Sequence, residues 1–189
     1  IGQYVYPIHR LDRGTSGVLL LALSSEAARE MGAQFQEHRA SKTYHGLVRG
    51  WPDRQGAWDR ALRDPDPPHA VQESLTEFRC LARFELPLAV PPFATSRCAL
   101  VEFRPKTGRR HQLRRHCNHA GYPLLGDATH GKGVNNRALA EFLGITRLWL
   151  QAVRLEVEHP FSGERLCLDV GDEPDWVYLR NRLRRYEIG

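Results

Sequence analysis

The sequence has no apolar segment long enough to cross a bilayer. No run approaches the roughly 20 apolar residues that a membrane-spanning helix needs, so we expect no membrane association. It also has no recognisable signal peptide, internal repeat or low-complexity segment. The chain opens at Ile1 and enters motif-like sequence almost at once, which favours the interpretation that its natural N-terminal segment is missing.

Cysteine is scarce and scattered. The four cysteines, Cys80, Cys98, Cys117 and Cys167, never form a closely spaced pair. This spacing argues against a disulfide framework and against a zinc site built from thiolates. It is typical of a protein in the reducing cytoplasm, which is where we expect this one to act.

Basic residues outnumber acidic ones. The 189 residues are 41% hydrophobic and 26% charged, typical of one folded domain, and the net charge of +5 favours a polyanionic partner. The densest basic segment lies between positions 104 and 115 and predicts an RNA-phosphate contact that weakens with salt. Its members are Arg104, Lys106, Arg109, Arg110, Arg114 and Arg115, with His111 and His116 beside them.

Short apolar and alternating segments predict a mixed fold. The run 18–23 (VLLLAL) indicates a buried strand, and Ser24 and Ser25 then supply an N-cap for a helix. Segments 75–84 and 96–103 indicate a strand pair joined by a proline-rich stretch. We therefore expect an α+β fold with a mixed, mainly antiparallel central sheet and flanking helices. Further strands are predicted at 43–48, 148–157 and 165–170, and further helices at 109–120, 136–143 and 176–186.

One local motif is a candidate for chemistry. Residues 9–17 (HRLDRGTSG) place Asp12 between Arg10 and Arg13, in a loop of small residues directly before the apolar run. Cations nearby favour the ionised carboxylate, and small neighbours leave space for a substrate. The same residues also fit a loop aspartate held in a structural ion pair, so the motif alone leaves both interpretations open.

Two further segments carry a family resemblance. The motif 9–17, the stretch 42–44 (KTY) and the segment 108–116 (GRRHQLRRH) occur in that order. Together they resemble the RluA-type family of pseudouridine synthases, from about Tyr6 to Val170. The resemblance implies the pseudouridine synthase catalytic fold and an isomerisation of uridine in RNA. It also implies that residues 1–189 form the catalytic domain without the segment that usually precedes this motif.

The resemblance assigns roles to individual residues. Asp12 corresponds to the nucleophile, Tyr44 to a tyrosine that packs against the target base and assists proton removal, and Arg114 to the basic partner of the aspartate. Arg10 corresponds to the arginine that holds the target nucleotide out of the stack. The remaining candidates for substrate binding are Arg13, Arg109, Arg110 and His111, together with Leu148 or Leu150 as the aliphatic residue beneath the site.

The chemistry asks for these residue types. Conversion of uridine to pseudouridine breaks the N1–C1′ bond and joins C5 to C1′, so substrate and product are isomers and we expect no cofactor and no metal. An ionised aspartate can serve as nucleophile, and a flipped base needs an aromatic platform. The alternative of a metal site at His111, His116, His119 and Cys117 is disfavoured because their helical spacing does not place all of them on one face.

The substrate is predicted less directly than the reaction. Segments outside the catalytic motifs, such as 68–71 (PHAV) and 126–131 (GDATHG), are similar to family members that act on uridine 65 of tRNA. We therefore expect tRNA as partner and a monomeric enzyme. The alternatives are a ribosomal-RNA pseudouridine synthase of the same family, a catalytically silent RNA-binding module and, more remotely, a metal-dependent nuclease.

Overall fold

The computed structural model describes residues 2, 4–171 and 173–189. Its helices are α1 (Ser25–Gln36), α2 (Gln112–His119), α3 (Gly133–Leu143) and α4 (Pro174–Leu183), the last followed by a 3₁₀ turn, Arg184–Tyr186. Its longer strands are β4 (Ser41–Arg49), β5 (Gln55–Asp59), β8 (Leu75–Leu86), β9 (Ser96–Pro105), β10 (Leu150–Glu158) and β11 (Arg165–Asp169). Six short strands complete the set: β1 (Tyr6–Pro7), β2 (Ser16–Gly17), β3 (Leu21–Ala22), β6 (Leu62–Arg63), β7 (Val71–Gln72) and β12 (Glu187–Ile188).

An eight-stranded sheet organises the chain. Its order is β11-β10-β4-β9-β8-β12, with β2 beside β10 and β5 beside β8. Every pairing is antiparallel except that of β2 with β10. The predicted α+β class and mainly antiparallel sheet are therefore confirmed. No helix in the described part of the chain is long and apolar enough to cross a membrane.

Alternation along the central strands gives the sheet two apolar faces. In β4, Leu47 belongs to one core cluster and Val48 to the other, because successive side chains of a strand point to opposite faces. On the first face pack α3 and α4, through residues such as Leu143 and Trp176. The second face is covered by α2, through residues such as Leu113. Tyr44 shares this second face with Val48.

A bulge in β8 allows one strand to serve both cores. The register with β9 shifts between Cys80 and Ala82, so Phe78 packs in the cluster of α2 whereas Phe84 packs in the cluster of α3 and α4. Without the extra residue, Phe78 and Phe84, which are an even number of residues apart, would point to the same face of the sheet. The bulge therefore distributes the large apolar residues of β8 between two helical layers.

Several predicted elements are confirmed with small shifts. The helix after Ser24 forms, and the Ser24 hydroxyl accepts a hydrogen bond from the amide of Ala27 at 3.2 Å. The strand pair β8–β9 and the hairpin β10–β11 form as predicted. The helix at 176–186 forms as α4 and its 3₁₀ turn, and the helix at 136–143 begins three residues early, at Gly133.

The prediction of a buried strand at 18–23 was wrong. Only Leu21–Ala22 form a strand, in a two-stranded ribbon with β1. Val18 and Ala22 are buried, but Leu19 and Leu23 remain 50% and 61% exposed. The segment therefore alternates between core and solvent, a pattern that a continuous apolar run cannot reveal.

The second boundary error concerns the basic segment. The helix predicted at 109–120 begins instead at Gln112. The amide of Arg109 donates to the side-chain oxygen of Gln112, and His111 adopts a left-handed backbone with φ of 54°. Residues 109–111 thus form a turn, which brings the first helical residues close to the strand ends of the second face.

Candidate active site

A cavity of about 850 Å³ opens between α1 and α2 on the second face of the sheet. The motif loop forms one wall with Asp12, and the turn before α2 forms the opposite wall with Arg109 and Arg110. Its floor includes Tyr44 from β4 and Leu150 from β10. Segments far apart in the sequence therefore meet here, as the three family-like motifs predicted.

The loop that carries Asp12 is held from several sides. The amide of Thr15 donates to the carbonyl of Asp12 at 2.9 Å, which closes a tight turn. His9 stacks on Phe35 of α1, and its Nε2 accepts a hydrogen bond from the amide of Leu20 at 2.9 Å. The loop is therefore anchored to α1 and to the segment that follows it, while the Asp12 side chain keeps 24% of its surface exposed.

Gly17 fixes where this loop meets the sheet. Its φ is 113°, and a Cβ built there would lie 2.1 Å from the carbonyl oxygen of Ala152. Only glycine allows this close approach, so the loop joins β10 by the parallel pairing of β2. This contact fixes the distance between the Asp12 turn and the strand that supplies Leu150.

Tyr44 lies at the base of the cavity. Burial, and secondarily the negative charge of Asp12, raises the pKa of the Tyr44 phenol to about 12. At neutral pH the free protein therefore holds Tyr44 as a neutral phenol. In this state it offers an aromatic face and a hydrogen-bond donor beside the carboxylate.

Arg114 reaches Asp12, but its hydrogen bonds go to another aspartate. Its Nε and Nη2 donate to the carboxylate of Asp127 at 2.8 and 2.7 Å. The nitrogen that remains, Nη1, lies 4.0 Å from Oδ2 of Asp12. Side chains of Arg114 and Asp127 are 6% and 1% exposed. A buried bidentate pair thus positions the cation that the sequence assigned to Asp12.

The carboxylate of Asp127 remains ionised in this setting. Burial by itself would raise its pKa, but hydrogen bonds from Arg114 and from the amides of His130 and Thr129 outweigh it and lower the pKa. The carbonyl of Asp127 in turn accepts hydrogen bonds from the Asn136 side chain and the Gly131 amide. The turn at 126–131 is therefore a rigid support for Arg114.

Gln112 shapes the turn that carries Arg109 and Arg110. Its side-chain oxygen accepts from the Thr107 hydroxyl at 2.7 Å and from the Arg109 amide at 3.0 Å. Lys42 donates to the carbonyl of Thr107 at 3.3 Å, and burial followed by the charge of Arg109 lowers its pKa. These bonds hold two arginines at the rim of the cavity.

The remaining predicted residues take different places. Arg10 is exposed and lines the cavity, whereas Arg13 is exposed but does not line it. Leu150 lines the cavity, while Leu148 packs beneath Gly14, 3.4 Å from a Cβ built there. The structure thus distinguishes two leucines that the sequence left as alternatives.

The dense basic segment divides into separate surfaces. Arg104 and Lys106 bind Glu102 and Glu77 at 3.0 and 2.8 Å, away from the cavity. Arg114 is buried, and Arg109 and Arg110 stand at the cavity rim. Arg115 lies on α2 near Arg60 and His119. Among the described residues, no carboxylate lies within 4.0 Å of any of these three side chains. Burial, followed by the positive charges of Arg60 and Arg115, lowers the pKa of His119.

The histidines of α2 do not converge. His116 is buried against the hydroxyls of Ser74 and Thr76 at 3.0 Å each. His111 contacts Arg114 and His130 instead. Within residues 2, 4–171 and 173–189, no three His, Cys, Asp or Glu side chains are placed to hold a metal ion.

Sequence reasoning missed the supporting residues. Asp127 and His130 entered the sequence interpretation only as part of segment 126–131, and Gln112 only as part of segment 108–116. Asp127 follows Arg114 by 13 residues, and no local pattern reports a contact of that separation. The glycine at 126, with φ of 78°, is the signal that could have indicated a constrained turn there.

Known proteins resemble the chain over nearly its whole length. A family described as RNA pseudouridylate synthase matches residues 2–119. A protein of Vibrio cholerae named tRNA pseudouridine synthase C is 44% identical over 95% of this chain and 77% of its own length. A protein of the same name from Pectobacterium carotovorum is also 44% identical, and the chain spans only 49% of its length.

Solved structures agree with this relationship. Human RNA pseudouridylate synthase domain containing 1 superposes with a TM-score of 0.73, at 26% identity over 96% of this chain and 80% of that one. Human RNA pseudouridylate synthase domain containing 4 has a TM-score of 0.74 at 23% identity and shows the shared fold. With three motifs assembled around one cavity, a matching family over more than half of its residues and relatives at 44% identity, the chain belongs to the RNA pseudouridylate synthase family.

Proposed function

We propose that this chain isomerises uridine to pseudouridine in tRNA, at uridine 65, with Asp12 as the nucleophile. The observation that carries the proposal is the partly exposed carboxylate of Asp12 in a cavity, with Tyr44 at its base and Nη1 of Arg114 4.0 Å from its Oδ2. Relatives that the chain covers to about three quarters of their length are named tRNA pseudouridine synthase C. We take residues 1–189 as the catalytic domain of this enzyme.

The carboxylate of Asp12 is suited to nucleophilic attack. Arg114 supplies positive charge on one side without donating its best hydrogen bonds, which Asp127 accepts. Asp12 therefore keeps its lone pairs available while its negative charge is stabilised. The carboxylate holds the nucleoside covalently while the N1–C1′ bond is broken and the base turns.

Tyr44 acts at a later step. Forming C5–C1′ requires loss of the proton on C5, and N1 gains a proton, so atoms balance without a co-reactant. Burial keeps Tyr44 a neutral phenol. Such a phenol can donate its own hydrogen to N1 and take up the hydrogen from C5, so the step ends with the phenol restored.

The cavity rim supports binding of a flipped nucleotide. Arg10 and Arg109 present guanidinium groups suited to phosphates at the opening, and Arg110 beside them holds an exposed ion pair with Asp66 that a phosphate can displace. Thr15 lines the cavity, and its buried hydroxyl has no hydrogen-bond partner among the described residues. Unstacking the base costs roughly a few kcal/mol, which contacts at the rim and in the cavity must offset.

Mapping of pseudouridine tests the assignment. The full-length protein is incubated with unmodified total RNA, and new pseudouridines are located at single-nucleotide resolution. A new site at uridine 65 of tRNA supports the proposal. Sites confined to ribosomal RNA would retain the reaction and overturn the substrate, and RNA binding without any new pseudouridine would indicate a silent binding module.

A further inference from the structure

Two histidines extend from Arg114 in a hydrogen-bonded line that leads away from Asp12. Nη1 of Arg114 lies 3.3 Å from Nε2 of His111, and Nδ1 of His111 lies 3.0 Å from Nε2 of His130. The two rings meet edge to face, with centroids 5.3 Å apart. The same Nη1 is the nitrogen nearest to Asp12.

The guanidinium determines the direction of every hydrogen bond in this line. Arginine can only donate, so Nε2 of His111 must be the acceptor. A neutral imidazole carries one hydrogen, which therefore lies on Nδ1 of His111 and is donated to Nε2 of His130. The hydrogen of His130 must then lie on its own Nδ1. The line is intact only while both rings are neutral.

The surroundings of His111 favour its neutral form. Burial lowers its pKa, the nearby carboxylates of Asp12 and Asp127 act to raise it, and Arg114 and Arg110 lower it, with a net decrease. A proton on Nε2 would also face the guanidinium of Arg114 directly. His111 therefore accepts from Arg114 at neutral pH.

His130 is held neutral by similar causes. Burial lowers its pKa, Asp127 opposes this, and Arg114, His111 and Arg115 add to the decrease. Its backbone is fixed because the His130 amide donates to Oδ1 of Asp127 at 2.9 Å. The aspartate that binds Arg114 therefore also places the last ring of the line.

We propose that His130 is a positioning residue for the isomerisation: by accepting the Nδ1 hydrogen of His111 it holds that ring, in the tautomer that Arg114 requires, where Nε2 keeps Nη1 of Arg114 beside Asp12. The proposal rests on the proposed function, since its effect on rate presumes that Asp12 is the nucleophile. His130 touches neither Asp12 nor the cavity, so its influence passes through His111 and Arg114. This adds a residue 19 positions after His111 to the machinery of the site.

Two substitutions distinguish the role of His130 as a hydrogen-bond acceptor from its role in packing. His130→Gln places an amide oxygen near the position of Nε2 and can accept the same hydrogen, whereas His130→Leu fills the space without an acceptor. In single-turnover assays on tRNA at about pH 7.5, we expect His130→Leu to lower the rate constant about tenfold with KM unchanged. We expect His130→Gln to stay within about twofold of the wild type.

The pH profile gives a second readout that packing alone does not move. The wild-type rate constant should fall on the acid side as either imidazole gains a proton. In His130→Gln only His111 can titrate, so the acid side of its profile should follow one protonation rather than two. A His130→Leu rate within about twofold of the wild type, or equal losses in both folded variants, would overturn the proposal.

Imidazole nitrogen NMR tests the line without any assay of activity. In the full-length protein at neutral pH, nitrogen chemical shifts should show His111 and His130 both neutral, with the hydrogen on Nδ1. An Nε2–H tautomer in either ring would contradict the inference even if the enzyme is active. A wild-type protein that has these tautomers but makes no pseudouridine would instead contradict the proposed function.

Discussion

Arg114 gives two short hydrogen bonds to Asp127 and keeps its third nitrogen 4.0 Å from Asp12. The pair is buried and bidentate, which is the strongest geometry available to an arginine and a carboxylate. Asp127 thereby fixes the plane of the guanidinium. Arg114 can stabilise the charge of Asp12 without the freedom to move toward it and block attack.

Removal of the Asp127 charge should damage both stability and turnover. Asp127→Asn leaves a buried guanidinium without its counter-ion, so we expect the free energy of unfolding to fall by about 3–5 kcal/mol. Turnover should fall as well, because Nη1 is no longer held. Denaturant unfolding and single-turnover kinetics measure the two effects. Asp66→Asn is the control: its pair with Arg110 is exposed, and it should cost about 1 kcal/mol or less.

The ion pair of Asp127 should contribute to the free energy of unfolding in a way that is lost in acid. The folded state lowers the pKa of Asp127 below its ordinary value of 3.8. A group of this kind stabilises the fold fully above its unfolded pKa and loses that contribution as the pH falls through the folded pKa. The wild type should therefore lose stability more steeply than Asp127→Asn below about pH 4. Parallel curves for the two proteins would contradict the assigned ion pair.

Substitutions of Tyr44 separate its two expected roles. Tyr44→Phe keeps the aromatic platform and removes the hydroxyl, so RNA affinity should be retained while the rate constant falls by about 10²–10⁴, the range for loss of a proton-transfer group. Tyr44→Leu should lose affinity in addition, because the stacking surface is gone. Filter binding and single-turnover kinetics distinguish them. Equal RNA affinity in the Phe and Leu variants would exclude stacking of the target base on the Tyr44 ring.

Unpaired and paired arginines should differ in how they bind RNA. Arg115 lies near Arg60 and His119 without a carboxylate within 4.0 Å in the described chain, whereas Arg104 pairs with Glu102. We expect Arg115→Ala to reduce the slope of log affinity against log salt by about 0.7–0.9, the value of one phosphate contact. Arg104→Ala should leave the slope unchanged. The reverse order would place the RNA on the opposite face of the sheet.

Two glycines of similar backbone test the turn that holds Asp127. Gly126 and Gly163 have φ of 78° and 72°, but a Cβ at Gly126 would lie 1.7 Å from the carbonyl oxygen of Arg147, while nothing lies within 4 Å at Gly163. Gly163→Ala should cost about 1 kcal/mol for the left-handed backbone alone. Gly126→Ala should cost clearly more and lower turnover through Asp127. Thermal unfolding of both variants gives the comparison, and equal costs would contradict the close approach.

The sequence predicted the part of the site whose residues lie in compact motifs. The motif around Asp12 is long, its spacing is specific, and it directly precedes a segment with a strong apolar signal. The strand pair β8–β9 and the cap at Ser24 were predictable for the same reason, since alternation and capping are local properties. The α+β class follows from those elements.

What the sequence could not show depends on contacts between distant segments. Asp127 binds Arg114 and His130 approaches His111 only because α2 and the turn at 126–131 fold against each other. The segment 18–23 was misassigned because a run of apolar letters does not say which side chains face solvent. In the sequence, the basic residues of 104–115 form one cluster. In the structure they lie on a strand end, a turn and a helix, and therefore on separate surfaces.

The role of Asp12 as nucleophile is tested most directly by the single-turnover rate of pseudouridine formation in tRNA by Asp12→Asn, with Asp66→Asn as its matched control. Both carboxylates line the same cavity. We expect Asp12→Asn to bind tRNA yet form no detectable pseudouridine, and Asp66→Asn to remain within about threefold of the wild type. Pseudouridine formation by Asp12→Asn within about tenfold of the wild-type rate would contradict Asp12 as the nucleophile.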